Sequence, residues 1–257
     1  MSAQARKPRP WRGLLIPAVV LFAVLVGLGT WQIQRKTWKE GLIAVLNERL
    51  AAPPSALPLP GMWPSLDQAN DEYRRVKFSA AFDQGREALV YAAASAFRPD
   101  VSGPGYWVFT PAHLADGGFV MVNRGFVPEA KRDAAARPAG EIGDPVEIAG
   151  VMRWPEQRGW FSPADSPNGN LWFTRDPRAI AAAKGLPAVA PFYVEQESPV
   201  PPGGLPQPGK LVPKLRNEHL QYALTWFGLA IVLVVAFGVW AFNSGGEGSP
   251  GKAPQQP

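Results

Sequence analysis

The chain has 257 residues, 46% of them hydrophobic, and it contains no cysteine. The absence of cysteine excludes disulfides, thiolate metal sites, iron–sulfur clusters and cysteine nucleophiles. Because there are only two histidines, a three-histidine zinc or copper site within one chain is also excluded. The length and composition fit two membrane spans and one globular domain of ordinary size.

The net charge of +5 is concentrated near the N-terminus. Residues 32–217 contain 21 basic and 19 acidic residues, so the balance indicates no basic face for nucleic acid, and we expect no nucleic-acid partner. The basic residues before the first apolar segment are typical of the cytoplasmic flank of a membrane helix. They are Arg6, Lys7, Arg9 and Arg12.

The first apolar segment, residues 13–31, has no charged side chain. A cleavable signal peptide is the alternative, since Gly27-Leu28-Gly29 resembles a small-x-small cleavage site. The segment is longer than the roughly 7 to 15 residues of a signal-peptide core, which favours a retained transmembrane helix. A helical pattern continues through residues 32–50 and ends at a proline-rich break at 53–64.

The middle of the chain, residues 32–217, is predicted to form a mainly-β extracytoplasmic domain. Glycine and proline separate its candidate strands, and residues 199–213 form a Pro/Gly-rich tether. The clearest helix is 176–184, with Asp176 as N-cap, Pro177 at the first helical position and Gly185 at its end. We expect an α+β domain built on an antiparallel barrel or sandwich. The candidate strands are 73–82, 88–97, 106–110, 119–123, 146–154, 171–174 and 191–195.

The second apolar segment, residues 218–242, also predicts a transmembrane helix. The 21 residues from 222 to 242 carry no charge, and at 1.5 Å of rise each they span roughly 30 Å, the thickness of a hydrocarbon core. Asn217 is the predicted N-cap, with Glu218 in the first turn, so His219 lies at headgroup depth. His219 would share a helix face with Tyr222, Ala223 and Trp226.

Two spans place both termini on one side of the membrane, and the basic N-terminus predicts the cytoplasm. Residues 1–12 and 243–257 would be cytoplasmic tails, the second one disordered, and the domain would face the periplasm. Arg35, Lys36 and Lys39 at the outer end of the first span weaken this charge asymmetry. Only 12 residues precede the first span, too few for an organellar transit peptide, which favours a bacterial inner membrane.

Other polar residues of the domain do not form a catalytic arrangement in sequence. No Ser/His/Asp arrangement, phosphate loop or dinucleotide fingerprint has suitable flanks, so we do not expect an enzyme. His113 is predicted to be a solvated loop residue, and Gly117-Gly118 a hairpin turn. Glu195 and Glu197 are expected to share a solvent face.

Several ordered motifs resemble those of the surfeit locus protein 1 family. The first span matches its signature LGxWQxxRxxWKxxLI at every fixed position, through Leu28-Gly29-Thr30-Trp31-Gln32, Arg35, Trp38-Lys39 and Leu42-Ile43. The second span carries Asn217, His219-Leu220-Gln221-Tyr222-Ala223 and Thr225-Trp226-Phe227. Residues 122–128 are close to the VNRGWVP motif, with Phe126 in place of tryptophan. The resemblance covers about residues 27 to 242.

This resemblance implies an assembly factor for haem–copper cytochrome c oxidase that binds haem a and assists its insertion into the catalytic subunit. The implied partners are that subunit, the haem a synthesis machinery and the lipid bilayer. His219 would ligate the haem iron. The other implied cofactor-binding residues are Tyr222, Trp226, Trp31, Gln32 and Arg124.

Three alternatives stay open for these residues. The aromatic side chains and Gln32 are also typical of an interfacial anchor, and a histidine among them can simply be hydrated. Arg124 can pair with a haem propionate or hold a turn by hydrogen bonds. The chain as a whole can be a membrane-anchored scaffold or chaperone for the oxidase subunit that binds no haem.

Overall fold

A computed structural model describes residues 11–92, 98–142, 145–213 and 217–245. They fall into two units: a helical unit of residues 11–43 and 217–245, and a β-domain of residues 44–213. Residues 1–10 and 246–257, which hold most of the two predicted tails, lie outside the described residues. So do residues 93–97 of the second predicted strand.

The helical unit is formed by two long helices, α1 (Trp11–Ala51), of which residues 11–43 belong to it, and α4 (His219–Gly245). Both are long and apolar enough to cross a membrane. α1 continues well past residue 31, as the helical pattern predicted. Hydroxyl groups within the helices bond to the preceding turn: Thr30 Oγ1 donates to Val26 O at 2.9 Å and Thr225 Oγ1 to Gln221 O at 3.0 Å. Such internal bonding lets polar side chains lie at membrane depth.

In the described part of the β-domain, eight strands and two short helices follow one another along the chain. Helix α3 (Pro177–Ala183) begins as predicted, because the Asp176 carboxylate accepts hydrogen bonds from the amides of Arg178 and Ala179. Gly185 follows the end of the helix with a φ of +68°. The strands are β1 (Ser55–Ala56), β2 (Arg75–Phe82), β3 (Ala88–Ala92), β4 (Gly105–Leu114), β5 (Phe119–Pro128), β6 (Val146–Arg153), β7 (Leu171–Trp172) and β8 (Val189–Ser198); the helices are α2 (Gln68–Asp71) and α3 (Pro177–Ala183).

The strands form one sheet in the order β1-β2-β6-β8-β5-β4-β3-β7, and an additional β2–β4 pairing closes five of them into a barrel. The predicted fold class, apolar helices flanking a mainly-β domain, is confirmed. The sheet is mixed rather than purely antiparallel, because β5 pairs with β8, β1 with β2 and β3 with β7 in parallel. Parallel neighbours require a long connection, and residues 129–188 supply one between β5 and β8.

The two largest apolar cores among the described residues lie on opposite faces of the barrel strands. In β5, Val120 and Val122 belong to the first core and Met121 to the second, because successive side chains alternate between the faces of a strand. The first core draws on all five barrel strands, and the second lies beneath β3, β7 and α3. Burial on both faces explains the apolar runs at residues 119–122 of β5 and 189–194 of β8.

Glu195 does not share a solvent face with Glu197, so this prediction was wrong. The Glu195 side chain is 3% exposed and accepts hydrogen bonds from Asn123 Nδ2 at 2.8 Å and Arg175 Nη1 at 3.0 Å. Glu197 instead pairs with Arg75 at 2.6 Å. A buried carboxylate needs such partners to offset its desolvation. Here Asn123 lies on the neighbouring strand β5, and Arg175 lies between β7 and α3.

Arg98 holds part of the Pro/Gly-rich tether on the barrel. Its buried guanidinium pairs with Asp100 at 2.7 Å and donates to the carbonyl oxygens of Gln207 and Pro208 at 3.3 Å. Gln207 also exchanges two backbone hydrogen bonds with Phe126 of β5. The Arg98 guanidinium lowers the pKa of the Asp100 carboxyl below its ordinary value, because it stabilises the charged form.

Candidate functional site

His219, the first residue of α4, meets a side chain of α1. Its Nδ1 lies 2.7 Å from Gln32 Oε1, and both side chains are half-buried. An amide oxygen only accepts hydrogen bonds, so Nδ1 carries the proton and donates it. In the neutral imidazole, Nε2 then has the free lone pair. This is the arrangement of metal-binding histidines, in which the nitrogen that does not ligate donates to a second group.

Gln32 and His219 meet because both lie on the packed faces of α1 and α4. Gly29, three residues before Gln32, lies against the ring of Phe227, and a Cβ at position 29 would be 2.7 Å from Phe227 Cε1. Residues three or four apart share a helix face, so one line of small and apolar residues continues from the Gln32–His219 pair along both helices. The buried members of this line are Leu25, Gly29, Ala223 and Ala230.

The start of α4 differs from the predicted one. The helix begins at His219, and the Tyr222 amide donates to Glu218 O at 3.3 Å, so Glu218 rather than Asn217 occupies the N-cap position. Asn217 Oδ1 is buried and has no hydrogen-bond partner among the described residues.

The predicted aromatic neighbours of His219 differ in how far their side chains are buried. Trp226 is half-buried, whereas Tyr222 and Trp31 are each 54% exposed. Helical spacing had placed Tyr222 on the His219 face, yet the packed line runs through Ala223 and Phe227. Tyr222 and Trp31 therefore present their rings to the surroundings of the helix pair, where lipid or a ligand can contact them.

Arg124, the remaining predicted site residue, belongs to the β-domain and not to the helical unit. Its side chain is 1% exposed and lies over the Phe82 ring at 4.7 Å. Nη2 donates to Gly140 O in the short 3-10 turn Pro138–Gly140. This is the arrangement expected for an arginine that holds a turn.

His113 and the acidic side chains of the described residues do not form a metal-binding group. His113 is exposed at the end of β4 and packs its ring against Phe119 at 5.1 Å. Within the described ranges, no group of three or more His, Asp or Glu side chains is placed to hold a metal ion. Among the described residues, His219 is the only histidine whose ring makes a side-chain hydrogen bond. That bond, from Nδ1 to Gln32, leaves Nε2 for a ligand.

The Gln32–His219 bond itself was not predicted, although both residues were candidates. Its two partners are 187 positions apart. The available signal was the spacing of Leu25, Gly29 and Gln32, which repeats the four-then-three pattern of a packed helix face. The sequence also gave no sign that Trp160 and Phe161 would be fully exposed.

Fold and site together define a class: a membrane-anchored α+β protein with an imidazole at the end of a packed helix pair. The family model described as the SURF1 family matches residues 19–231. Surfeit locus protein 1 of Mus musculus is 39% identical over 230 residues, covering 85% of this chain and 71% of the relative. That of Homo sapiens is 37% identical over 233 residues, covering 86% and 73%.

A third relative is matched over almost its whole length. The SURF1-like protein of Monosiga brevicollis is 36% identical over 254 residues, which is 95% of this chain and 91% of the relative. The chain therefore belongs to the SURF1 family.

Proposed function

We propose that this chain is a membrane-anchored assembly factor for haem–copper cytochrome c oxidase that binds haem a. In this proposal His219 Nε2 would hold the haem iron, and the chain would present the haem to the catalytic subunit. Family membership supports the assembly role. The 2.7 Å contact between His219 Nδ1 and Gln32 Oε1 carries the haem-binding part.

The residues present fit a haem iron because imidazole nitrogen is a common axial ligand. Gln32 holds the His219 ring in one tautomer and one orientation. Binding of haem therefore does not have to fix the side chain or the position of its proton. When bound, the haem supplies the redox-active iron that the oxidase requires. This chain's own residues bind and orient the haem and then release it.

The neutral amide of Gln32 suits a site that must give up its ligand. A carboxylate at this position would place a full negative charge next to the Nδ1–H group. It would thereby make the imidazole a stronger electron donor to iron. An amide orients the ring with less polarisation. The site thus combines a fixed ring orientation with moderate ligand strength.

The proposal places residues 1–12 and 243–257 in the cytoplasm, residues 13–31 and 218–242 in the membrane, and residues 32–217 in the periplasm of a bacterium. Its support is the basic cluster at residues 6–12, which matches a cytoplasmic flank, and the two helices of membrane-spanning length. The implied partners are the oxidase catalytic subunit and the haem a synthesis machinery.

The test is to purify the protein from cells that make haem a and from cells that do not, and to record absorption spectra. Only protein from the first cells should carry stoichiometric haem a. His219→Ala should lose most of it, and His219→Met should retain some at an altered reduction potential, since a thioether can ligate iron. His113→Ala removes the other imidazole and should leave the spectrum unchanged.

Two results would contradict the proposal in different ways. Haem-free wild-type protein from haem a-making cells would leave the membrane-anchored scaffold as the better function. Unchanged haem content and spectrum in His219→Ala protein would show that another residue ligates the iron.

A further inference from the structure

In the middle of the loop between β6 and β7, two adjacent aromatic side chains are not covered by any other part of the described chain. Trp160 and Phe161, here called the aromatic tip, have relative exposures of 101% and 100%. A tryptophan or phenylalanine buries roughly 150–250 Å² when it is covered. Two adjacent rings left fully uncovered therefore mark a contact surface rather than incidental exposure.

The loop below the aromatic tip is held in one conformation by its own polar groups. The Ser162 amide donates to Gly159 O at 3.1 Å, which closes a tight turn with Trp160 and Phe161 at its two central positions. Arg158 Nη1 donates to Pro163 O at 3.0 Å, and the same guanidinium pairs with Asp165. Asp165 in turn accepts from the Phe173 amide at 2.7 Å. These bonds order the loop on both sides of the two aromatic residues.

We propose that the aromatic tip inserts into the headgroup region of the bilayer to which the chain is anchored. Tryptophan and phenylalanine are the side chains that favour this region. The backbone at the tip is suited to it, because Gly159 O, Ser162 N–H and Pro163 O are already bonded and proline has no N–H. The Arg158 side chain, 42% exposed, can approach lipid phosphates.

A membrane is favoured over a protein partner by the shape of the tip. Residues that dominate protein interfaces are surrounded by further contacts that exclude water, whereas both of these rings project alone beside the small residues Gly159 and Ser162. Fluid lipid closes around such a projection without a prepared pocket. The two membrane-length helices also keep a bilayer at high effective concentration. This inference does not depend on haem binding.

The test uses the absence of cysteine from the chain. Ser162→Cys introduces a single thiol beside the intact tip for a nitroxide label, and Ala135→Cys labels an exposed residue of another loop as the control. The full-length protein alone is placed in vesicles of phosphatidylethanolamine and phosphatidylglycerol. Power saturation then compares relaxation of the label by oxygen, which concentrates in lipid, with relaxation by a water-soluble nickel chelate.

We expect oxygen to dominate at position 162 and the nickel chelate at position 135. Replacing both rings, Trp160→Ser with Phe161→Ser, should shift the label at 162 to the value of the control, while circular dichroism stays unchanged. A label at 162 that is as accessible to nickel as the control, with the tip intact, would overturn the proposal. So would a label that is wet in pure vesicles but protected in native membranes, because a protein would then cover the tip.

Discussion

Gly29 of α1 lies directly against the ring of Phe227 of α4, where a Cβ would approach Phe227 Cε1 to 2.7 Å. This is well inside van der Waals contact, so any side chain at position 29 must displace the ring or separate the helices. Gln32 follows one turn later and bonds to His219. The helix spacing at Gly29 therefore determines whether the Gln32 amide reaches the imidazole.

Gly29→Ala should weaken both the helix pair and haem binding. Overpacking of this kind costs roughly 1–3 kcal/mol, and any separation of the helices lengthens the Gln32–His219 bond. Gly27→Ala is the matched control, because nothing lies within 4 Å of a Cβ at that position. Thermal unfolding in detergent and titration with haem a measure the two effects. Equal behaviour of the two variants would show that the contact does not control the site.

Gln32→Leu should reduce haem affinity about 10–100-fold, the usual cost of removing the group that orients a metal-binding histidine. Gln34→Leu makes the same change at an exposed position on the same helix and should have little effect. Gln32→Glu should restore binding and lower the reduction potential, since a carboxylate strengthens the imidazole as a donor. Haem titration followed by potentiometry measures both. Wild-type affinity in Gln32→Leu would mean that the hydrogen bond has no role in ligation.

Trp226→Ala should lower haem content while leaving the amount of membrane-inserted protein nearly unchanged, because the ring is only half-buried beside the packed line. Tyr222→Ala should act in the same direction, as its exposed ring is placed to contact a ligand outside the helix pair. Leu224→Ala, at a 64% exposed position of α4, is the control. Haem per protein after purification is the measurement. A collapse of the protein level would instead identify Trp226 as a packing residue.

The ion pair between Arg98 and Asp100, which holds residues 207–208 on the barrel, should weaken in acid. The guanidinium holds the pKa of the Asp100 carboxyl below its ordinary 3.8, so the folded state favours the charged form. This stabilisation is fully present above the unfolded pKa and is lost as pH falls through the lower folded pKa. Because the carboxylate is 46% exposed, we expect an effect below about 1 kcal/mol.

The Gln207 amide donates to Phe126 O at 2.8 Å. Its rate of hydrogen exchange therefore measures how firmly the Arg98–Asp100 ion pair holds this segment on the barrel. Asp100→Asn should raise its exchange at pH 7 and remove most of the difference between pH 7 and pH 3, after correction for intrinsic rates. Asp116→Asn, at an exposed turn position, should leave both values unchanged. An unaltered pH response in Asp100→Asn would assign it to other carboxyl groups.

The proposed topology is tested by reporter fusions at Ala134, in a short 3-10 segment of the β-domain. A reporter that works only after export should be active there, and a cytoplasmic one should be silent. The reason is the basic cluster at residues 6–12, for which the positive-inside rule predicts a cytoplasmic N-terminus. Activity of the cytoplasmic reporter would reverse the orientation and place His219 at the opposite membrane face.

Local signals in the sequence were sufficient for the individual elements. Charge-free length predicted the two apolar helices, and the cap at Asp176 with Gly185 set the limits of α3. Glycine at 117 and 118, with φ +89° and +80°, makes the hairpin between β4 and β5 as predicted. These features depend on neighbouring residues, whose backbone preferences act within a few positions.

Tertiary structure decided which of these elements meet, and with it the site. The parallel β5–β8 pairing within the barrel joins Met121 to Tyr193, and the Gln32–His219 bond joins residues 187 apart. Helical spacing alone allowed both Tyr222 and Ala223 on the packed face, but the structure buries Ala223 and leaves Tyr222 54% exposed. Such contacts depend on the shapes of both partners at once, and no local pattern in either segment contains that information.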